Sequence, residues 1–303
     1  MTQAQRPALA LLAFAMTVFV VSFPLMVIAL RDFGPATATL VRMLLGGLVL
    51  AFAARGQMAG LRGSRLRVAV IGAFGLGVQS WLLAYAMTHV GGALPALVLG
   101  LEPIVIGLVG SLVVREHVGA RLRAAFVIGL AGEAVISGAV TAGAAERPLL
   151  PLLALAGVVT LFSAYSVSLR QLAHLPSGPV VCLASVGGAV AVLPLAVIEV
   201  VRGDAVHSLH PGRVAALVFA AVFASGLGYL AWAAALSRVR AAVAALGLYL
   251  VPIGGAVSSH VVLGEPLYAR HAVGAAIVIA AVLIARSGAR PRAAASAPAA
   301  IDS

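Results

Sequence analysis

Long stretches without a charged side chain recur along the whole sequence and constrain its fold more than any other feature. The hydrocarbon core of a bilayer is roughly 30 Å thick, so a helix that crosses it needs about 20 consecutive apolar residues. Windows of this kind, some interrupted by one charge, predict an all-α integral membrane protein with ten transmembrane helices. The predicted helices span residues 8–30, 36–54, 68–88, 92–114, 122–141, 149–169, 178–200, 214–237, 241–263 and 270–286.

The composition excludes a soluble enzyme and a disordered chain. Of the 303 residues, 62% are hydrophobic and 10% are charged, whereas a soluble domain carries about 25% charged residues. The single cysteine, Cys182, lies in an apolar run and has no second cysteine for a disulfide or a thiolate metal site. The sequence also holds no zinc-protease, nucleophile-elbow or P-loop motif. We therefore expect no cofactor, no bound metal and no enzymatic activity.

The distribution of the basic residues indicates how the chain is oriented in the membrane. All 20 are arginine, and with nine acidic residues they give a net charge of +11, which in a soluble protein would point to nucleic acid. With ten helices, fourteen arginines fall on the side of the two termini and Arg42 falls within a helix. Five fall on the other side, namely Arg31, Arg147, Arg202, Arg213 and Arg270. Because arginine concentrates in cytoplasmic loops, we predict an inner-membrane protein with both termini in the cytoplasm and no nucleic-acid partner.

The two halves of the sequence resemble each other when one is shifted by 149 residues. Under this shift residues 101–104 (LEPI) meet residues 250–253 (LVPI), and Glu116 meets Glu265. An odd number of helices in each half turns the second copy upside down, which is the architecture of many secondary transporters. The predicted units are two five-helix repeats and a disordered cytoplasmic tail, over 8–141, 149–286 and 287–303.

Pro103 and Pro252 occupy equivalent positions in the middle of the predicted fourth and ninth helices. Proline removes one backbone hydrogen bond and clashes with the preceding turn. In lipid the freed carbonyl needs a neighbouring donor or a water-lined cavity. The pair therefore points to a central substrate cavity, although a packing kink without a ligand would give the same pattern.

Several short motifs carry a resemblance to a known family. They are LVRMLL at 40–45, LEP at 101–103, VRE at 114–116, AY at 164–165, LVP at 250–252 and LGEPL at 263–267. In this order they make the chain similar, over most of residues 8–286, to EamA-type transporters of the drug/metabolite transporter superfamily. The resemblance implies two inverted five-helix repeats and export of a small metabolite by alternating access, with an amino acid as the first expectation.

The resemblance leaves other functions open. A multidrug or sugar-derivative transporter would have the same fold, and a membrane enzyme or receptor is a more distant alternative. The chain departs from the family pattern in having no lysine and in having FVVSF at 19–23 where relatives often have Trp-Gly-x-x-Phe. Val251 stands before Pro252, so a mechanism that needs two symmetric carboxylates is excluded. The expected partners are a small-molecule substrate, the lipid bilayer and, in a coupled cycle, protons.

Three charged side chains lie at predicted membrane depth, where each costs roughly 2.5–3.5 kcal/mol to insert. Glu102 could bind a proton or a substrate amine, or it could brace the kink at Pro103. Arg42 could pair bidentately with a substrate carboxylate, form an ion pair with Glu102 or cap a carbonyl. Glu133 could meet Arg42 or a polar protein interface.

Aromatic residues are sparse, at 6%. The candidates to line a cavity are Trp81, Tyr85, Tyr165, Tyr229, Trp232 and Tyr249, together with His260. Ordinary packing and the aromatic belts at the membrane interface are the competing interpretation. Glycine clusters over residues 72–77, 187–188, 226–228 and 254–255 predict close contacts between helices.

Overall fold

The computed structural model describes residues 5–55, 57–90, 95, 98–113, 119–136, 149–264 and 266–287. Across these residues the chain is helical and forms no strand, apart from a single antiparallel bridge between Phe33 and Val206. Helices are the expected solution for such apolar segments, because in lipid a helix satisfies its backbone groups within one segment.

Ten helices follow one another in the described part of the chain. Their bounds are α1 Gln5–Ala29, α2 Pro35–Ala53, α3 Arg65–Val90, α4 Glu102–Val113, α5 Ala120–Ile136, α6 Leu149–Gln171, α7 Ser177–Arg202, α8 Pro211–Leu236, α9 in the pieces Ala241–Ala245, Leu246–Tyr249 and Leu250–Leu263, and α10 Ala269–Ser287. Seven of these are long and apolar enough to cross a membrane, namely α1, α2, α3, α6, α7, α8 and α9. The apolar stretches in α4 and α10 are shorter.

A helix lies within each of the ten predicted windows. At α4 the predicted start, residue 92, lies outside the described residues, and a turn at residues 100–101 precedes the regular helix that begins at Glu102. The predicted tail lies outside them as well, beyond Ser287. The structure thus confirms an all-helical protein with several membrane-length helices, whereas the crossing of the membrane by all ten stays a prediction.

Each helix packs on the counterparts of the helices that its own counterpart, five helices away along the chain, packs on. α1 packs on α8 and α9, and in the same way α6 packs on α3 and α4. α2 packs on α7 and on the middle of α8, while α7 packs on α2 and on α3. α5 and α10, the last described helix of each half, pack along each other. The two halves of the chain are therefore arranged alike around one shared interface.

Wide π-helical turns occur at matching places in α3 and α8, over Ala73–Val78 and Ala220–Gly228. A glycine from a neighbouring helix approaches each turn. A Cβ built on Gly46 of α2 would lie 2.9 Å from a backbone oxygen of α8, and one built on Gly188 of α7 would lie 3.0 Å from a backbone nitrogen of α3. Only glycine leaves room at such distances, which confirms the predicted close contact at the clusters over residues 187–188 and 72–77.

Two connecting segments, residues 30–34 and 203–210, lie side by side at one end of the bundle, and we call them the loop clamp. The antiparallel bridge belongs to it, and Gly34 N donates to Ala205 O at 3.0 Å. The first segment joins α1 to α2 and the second joins α7 to α8. The loop clamp therefore connects the first half of the chain to the second.

Asp32 anchors the loop clamp from within. Its carboxylate is 1% exposed, forms an ion pair with Arg213 at the start of α8 and accepts a hydrogen bond from His210 N at 3.3 Å. Burial raises the pKa of this carboxyl, but hydrogen bonds from Ser208, Arg213 and His210 N, together with the charge of Arg213, outweigh burial and leave the pKa below its ordinary value. The sequence analysis assigned no role to Asp32.

Acid should weaken the loop clamp only at low pH. A carboxyl whose pKa is lowered by folding stabilises the protein fully above its unfolded-state pKa and loses that contribution as the pH falls through the lowered value. The ordinary value is 3.8. We therefore expect the difference in melting temperature between wild type and Asp32→Asn to be constant above about pH 5 and to shrink below about pH 4. A difference that grows on acidification would contradict this expectation.

Candidate functional site

A buried arginine lies at the interface between the two halves. Arg42 is about 10 Å along α2 from its first residue, Pro35, at a rise of about 1.5 Å per residue. Its side chain is 9% exposed, its Nε donates to Ser225 Oγ at 3.1 Å and its Nη1 lies 3.7 Å from Met26 Sδ. Tyr229, one turn beyond Ser225, also interacts with the guanidinium. Arg42 thus joins α2 to α1 and to the π-helical part of α8.

Polar groups continue from Tyr229 into α3. The Tyr229 hydroxyl lies 3.5 Å from Ser80 Oγ, which donates to Gln79 Oε1 at 3.2 Å. All three residues are buried, and they follow the π-helical turns of α8 and α3 at matching places. The fold therefore brings equivalent parts of the two halves together. We call Arg42, Ser225, Tyr229, Ser80 and Gln79 the central polar cluster.

Aromatic rings border the central polar cluster. The ring of Tyr229 meets Tyr165 of α6 edge-on, with centroids 6.4 Å apart, and meets Phe19 of α1 at 5.5 Å. Phe162 lies 6.2 Å from Tyr165 and stacks on Trp232 at 6.0 Å. The indole Nε1 of Trp232 donates to a serine hydroxyl of α6 at 3.2 Å. Three of the aromatic candidates, Tyr165, Tyr229 and Trp232, thus belong to one buried group of rings, which contacts Arg42 through Tyr229.

Three buried hydroxyl groups near these rings lack a hydrogen-bond partner within the described residues, namely those of Ser22, Ser163 and Tyr165. Ser22 Oγ is buried without one, and Ser22 lies on the α1 face that carries Phe19 and Met26, since residues three and four apart share a helix face. The hydroxyl of Tyr165 is likewise buried and unpaired. An unpaired buried hydroxyl costs about 1–3 kcal/mol. Such groups indicate a place where a ligand or an ordered water supplies the missing partner.

Glu102 lies in the first turn of α4. Its side chain is 6% exposed, and no hydrogen bond or ion pair joins it to any residue that the structure describes. The positive end of the helix macrodipole favours a carboxylate there by about 0.3–1 kcal/mol. The ion pair with Arg42 that the sequence allowed does not form in this structure. The side chain of Glu133 lies outside the described part of the chain.

The two prolines mark the start of regular helix rather than a kink in its middle. Pro103 is the second residue of α4 and follows a turn at residues 100–101. Pro252 is the third residue of Leu250–Leu263 and follows the 3₁₀ turn Leu246–Tyr249; its side chain lies outside the described residues. Proline suits a first helical turn, where its missing N–H has no intrahelical acceptor. Both helices thus lose regular α geometry just before the proline.

The remaining candidates lie outside the central polar cluster. Trp81 and Tyr85 pack on one face of α3 with ring centroids 6.0 Å apart, and Trp81 contacts apolar residues of α2 and α7. Tyr249 is fully buried, and its hydroxyl donates to Phe126 O of α5 at 2.7 Å. His260 is exposed on α9. None of these side chains bonds to the cluster within the described residues.

Several polar residues at the interface escaped the sequence analysis, which singled out only two of the nine acids. Ser80 carried a signal that was missed, because the shift of 149 residues aligns it with Tyr229. Glu199 and Asp32 carried none, since their partners lie 163 and 181 residues away along the chain. Contacts of that range depend on helix packing, which residue spacing does not report.

Comparisons with known proteins agree with this fold. The model of the EamA-like transporter family matches the chain twice, over residues 6–138 and 149–287. A "probable terminal-alkyne amino-acid exporter" of Streptantibioticus cattleyicolor is 29% identical over 267 residues, which cover 87% of this chain and 88% of that protein. An "uncharacterized transporter" of Archaeoglobus fulgidus is 23% identical over 221 residues, covering 72% and 76%.

A solved structure, described only as the crystal structure of a protein, has the same fold. Its TM-score is 0.77 at 22% identity, over 95% of this chain and 97% of that chain. With membrane-length helices and relatives named as transporters, the protein is a multi-pass membrane transporter of a small molecule. It belongs to the EamA-like transporter family, which confirms the resemblance carried by its motifs.

Proposed function

We propose that the protein is a secondary transporter that exports a small metabolite of the amino-acid class across the inner membrane by alternating access. The observation that carries this proposal is the recurrence of helix contacts five helices apart, which accords with two matches to one family model. Five helices in each half orient the halves oppositely. Each half can then adopt the conformation of the other, which opens a site between them first to one side and then to the other.

The interface between the halves is the proposed substrate site. Secondary transporters with inverted repeats bind their substrates there, near the middle of the bilayer. The central polar cluster and the rings of Tyr165, Tyr229 and Trp232 supply hydrogen bonds and apolar surface for a small organic solute. The amino-acid class rests on the name of the relative from S. cattleyicolor.

The orientation follows from the arginine distribution, with both termini in the cytoplasm. The loop clamp then lies on the outer side, because it connects the ends of α1 and α7 to the starts of α2 and α8. We propose that the loop clamp closes the outer end of the interface between the halves, that it is the outer gate, and that export requires its segments to separate.

Counterflow in proteoliposomes tests the transport function. Vesicles preloaded with an unlabelled amino acid should accumulate the labelled form transiently, and protein-free vesicles should not. The panel contains amino acids, nucleosides and cationic dyes. Exchange of nucleosides or dyes but of no amino acid would replace the amino-acid class by another substrate class. Absence of exchange with every compound would contradict the transport proposal.

Glu102 is the proposed coupling residue, because a buried carboxylate that has no partner among the described residues can take up and release a proton during the cycle. We expect Glu102→Gln to abolish uptake driven by a pH gradient while counterflow, which needs no net proton movement, continues. Ser111→Ala on the exposed side of the same helix is the control and should keep both activities. If Glu102→Gln keeps the wild-type rate and pH dependence, Glu102 has no role in coupling or binding.

A further inference from the structure

We propose that Arg42 binds a carboxylate of the substrate, with Ser22 and Tyr165 completing the site through their hydroxyl groups. This inference names the substrate chemistry of the proposed transport function and rests on it. The observations, all within the described residues, are a buried cation with only neutral partners and the unpaired buried hydroxyls of Ser22 and Tyr165, all next to the same aromatic rings.

The charge of Arg42 is not balanced by any acidic side chain that the structure describes. Its contacts there are a hydroxyl, a thioether and a phenol, from Ser225, Met26 and Tyr229. A buried charge without an opposite charge costs several kcal/mol after relaxation. Guanidinium is the side chain best suited to an anion with two parallel oxygens, since it donates two hydrogen bonds in a fixed fork. A carboxylate would supply both the missing charge and the missing acceptors.

One of the present contacts of Arg42 is weak, so such a ligand could replace it. The acceptor of its Nη1 is the sulfur of Met26 at 3.7 Å, and a thioether is a weak acceptor. An incoming carboxylate that displaced this sulfur would gain a charge-assisted hydrogen bond in place of a weak one. The contact of Nε with Ser225 Oγ would meanwhile hold the guanidinium in place.

One hydroxyl group lies on α1, which contacts the guanidinium through Met26, and the other lies on α6, which contacts Tyr229. Ser22 is on the α1 face between Phe19, which packs on Tyr229, and Met26, which contacts Arg42. Tyr165 meets the other edge of the aromatic group from α6. A hydroxyl can donate to a carboxylate oxygen. The ligand would thereby contact α1 and α2 from one half and α6 and α8 from the other, which couples its binding to their relative movement.

The competing role for Arg42 is that of a brace between α2 and α8. The two roles predict different melting temperatures for the unliganded protein and different effects on the binding of acids and amides. If Arg42 is a brace, its replacement lowers the melting temperature of the unliganded protein and changes the binding of acids and of amides equally. If Arg42 is a ligand site, its replacement removes an unbalanced charge, so the unliganded protein melts no lower, and only acids are affected.

Ligand-dependent melting of the purified full-length protein in detergent tests the proposal, because a ligand that binds the folded state raises its melting temperature. The acids are L-alanine, L-leucine, L-phenylalanine and butyrate. L-leucinamide and 3-methylbutylamine are the counterparts of leucine that lack the carboxylate. We expect stabilisation by at least one acid and by neither counterpart. Equal stabilisation by leucine and leucinamide, or by none of the acids, would overturn the proposal without any variant.

Substitutions then assign the binding to Arg42. We expect Arg42→Gln to weaken binding of the acid roughly 30-fold or more, Arg42→Lys to weaken it less, and the unliganded Arg42→Gln protein to melt no lower than wild type. Arg67→Gln is the matched control, since Arg67 is an exposed arginine bonded to Gln171, and should bind as wild type does. Unchanged affinity in Arg42→Gln would overturn the proposal; if that variant does not fold, unchanged affinity in Arg42→Lys together with binding of leucinamide would overturn it.

Transport of the same ligand separates this inference from the proposed function. If an acid binds through Arg42 but shows no counterflow in proteoliposomes, the transport function fails and the carboxylate site stands. If leucine and leucinamide show equal counterflow, the transport function stands and the carboxylate site fails.

Discussion

Replacement of Gly187 by alanine should destabilise the protein strongly. A Cβ at Gly187 would overlap the carbonyl oxygen of Ala69 and lie 2.8 Å from its carbonyl carbon. These are backbone atoms of α3, so the clash cannot be relieved by a side-chain rotation and the crossing of α3 and α7 has to widen. Overpacking of this kind costs about 1–3 kcal/mol. We expect a lower melting temperature in detergent and a lower yield of monodisperse protein.

Gly255→Ala is the matched control for this prediction. Gly255 lies in α9, and a Cβ there would meet nothing within 4 Å. Alanine is better than glycine in the interior of a helix by about 0.8–1 kcal/mol, so this variant should melt at the wild-type temperature or above it. The two substitutions add the same methyl group and should shift the melting temperature in opposite directions. A similar fall in both would mean that the α3–α7 crossing is looser than the structure has it.

Replacement of Glu199 by alanine should remove a cap that α7 supplies to the start of α2, and should thereby lower the stability of the protein. The two carboxylate oxygens of Glu199 accept hydrogen bonds from Ala36 N and Thr37 N at 2.8 Å and from Thr37 Oγ1 at 2.9 Å. They thus cap the first turn of α2 from near the end of α7. Gly34 leaves space for this carboxylate, because a Cβ there would lie 2.6 Å from Glu199 Cδ.

The loss should be measurable as a change in stability. Removal of a side chain that caps a helix costs about 0.5–2 kcal/mol, and hydrogen bonds to a charged group contribute about 1.5–3 kcal/mol. We therefore expect Glu199→Ala to lose about 1–3 kcal/mol of unfolding free energy, visible as a lower melting temperature. Glu199→Gln keeps one carbonyl oxygen as an acceptor and should lose less.

Asp204→Ala separates the cap from the mere loss of a negative charge. Asp204 is exposed in the loop clamp, and its side chain has no bond to a residue within the described ranges. The Asp204→Ala substitution removes the same negative charge at the same end of the bundle as Glu199→Ala. The Asp204→Ala variant should nevertheless have the melting temperature of the wild type. If the two alanine variants melt at the same temperature, Glu199 does not stabilise the start of α2.

Much of the helical fold follows from the sequence. Each long apolar window must become a helix in lipid, since an unsatisfied backbone group there costs several kcal/mol, and the structure places a helix in every window. The predicted start of α4 at residue 92 lies outside the described residues, and what hydropathy missed there is a turn. The hydrophobic run extends over residues 92–114 without a break, but residues 100–101 form a turn and the regular part begins beside the proline at position 103, where proline suits a first helical turn.

The candidate site was predicted only in part. The sequence identified Arg42 and Glu102 by the cost of a charge in an apolar run, but it left an ion pair between them open. Aromatic spacing identified Tyr229 and Trp232 as neighbours on α8, although it did not separate them from Tyr249, which bonds to the backbone of α5. Spacing along one helix defines a face, but it does not define what that face meets.

The sequence by itself determined the class of protein and the positions of its helices, and its repetition predicted how the two halves are related, because apolar length, charge and repetition are properties of the linear chain. The tertiary structure alone decided that Arg42 meets Ser225, 183 residues away, and that Asp32 meets Arg213. Those pairs depend on the rotation and crossing of helices packed through glycine contacts, to which many residues contribute together. The carboxylate site that we propose at this interface rests on the same level of structure, on which polar groups the packing leaves without a partner among the described residues.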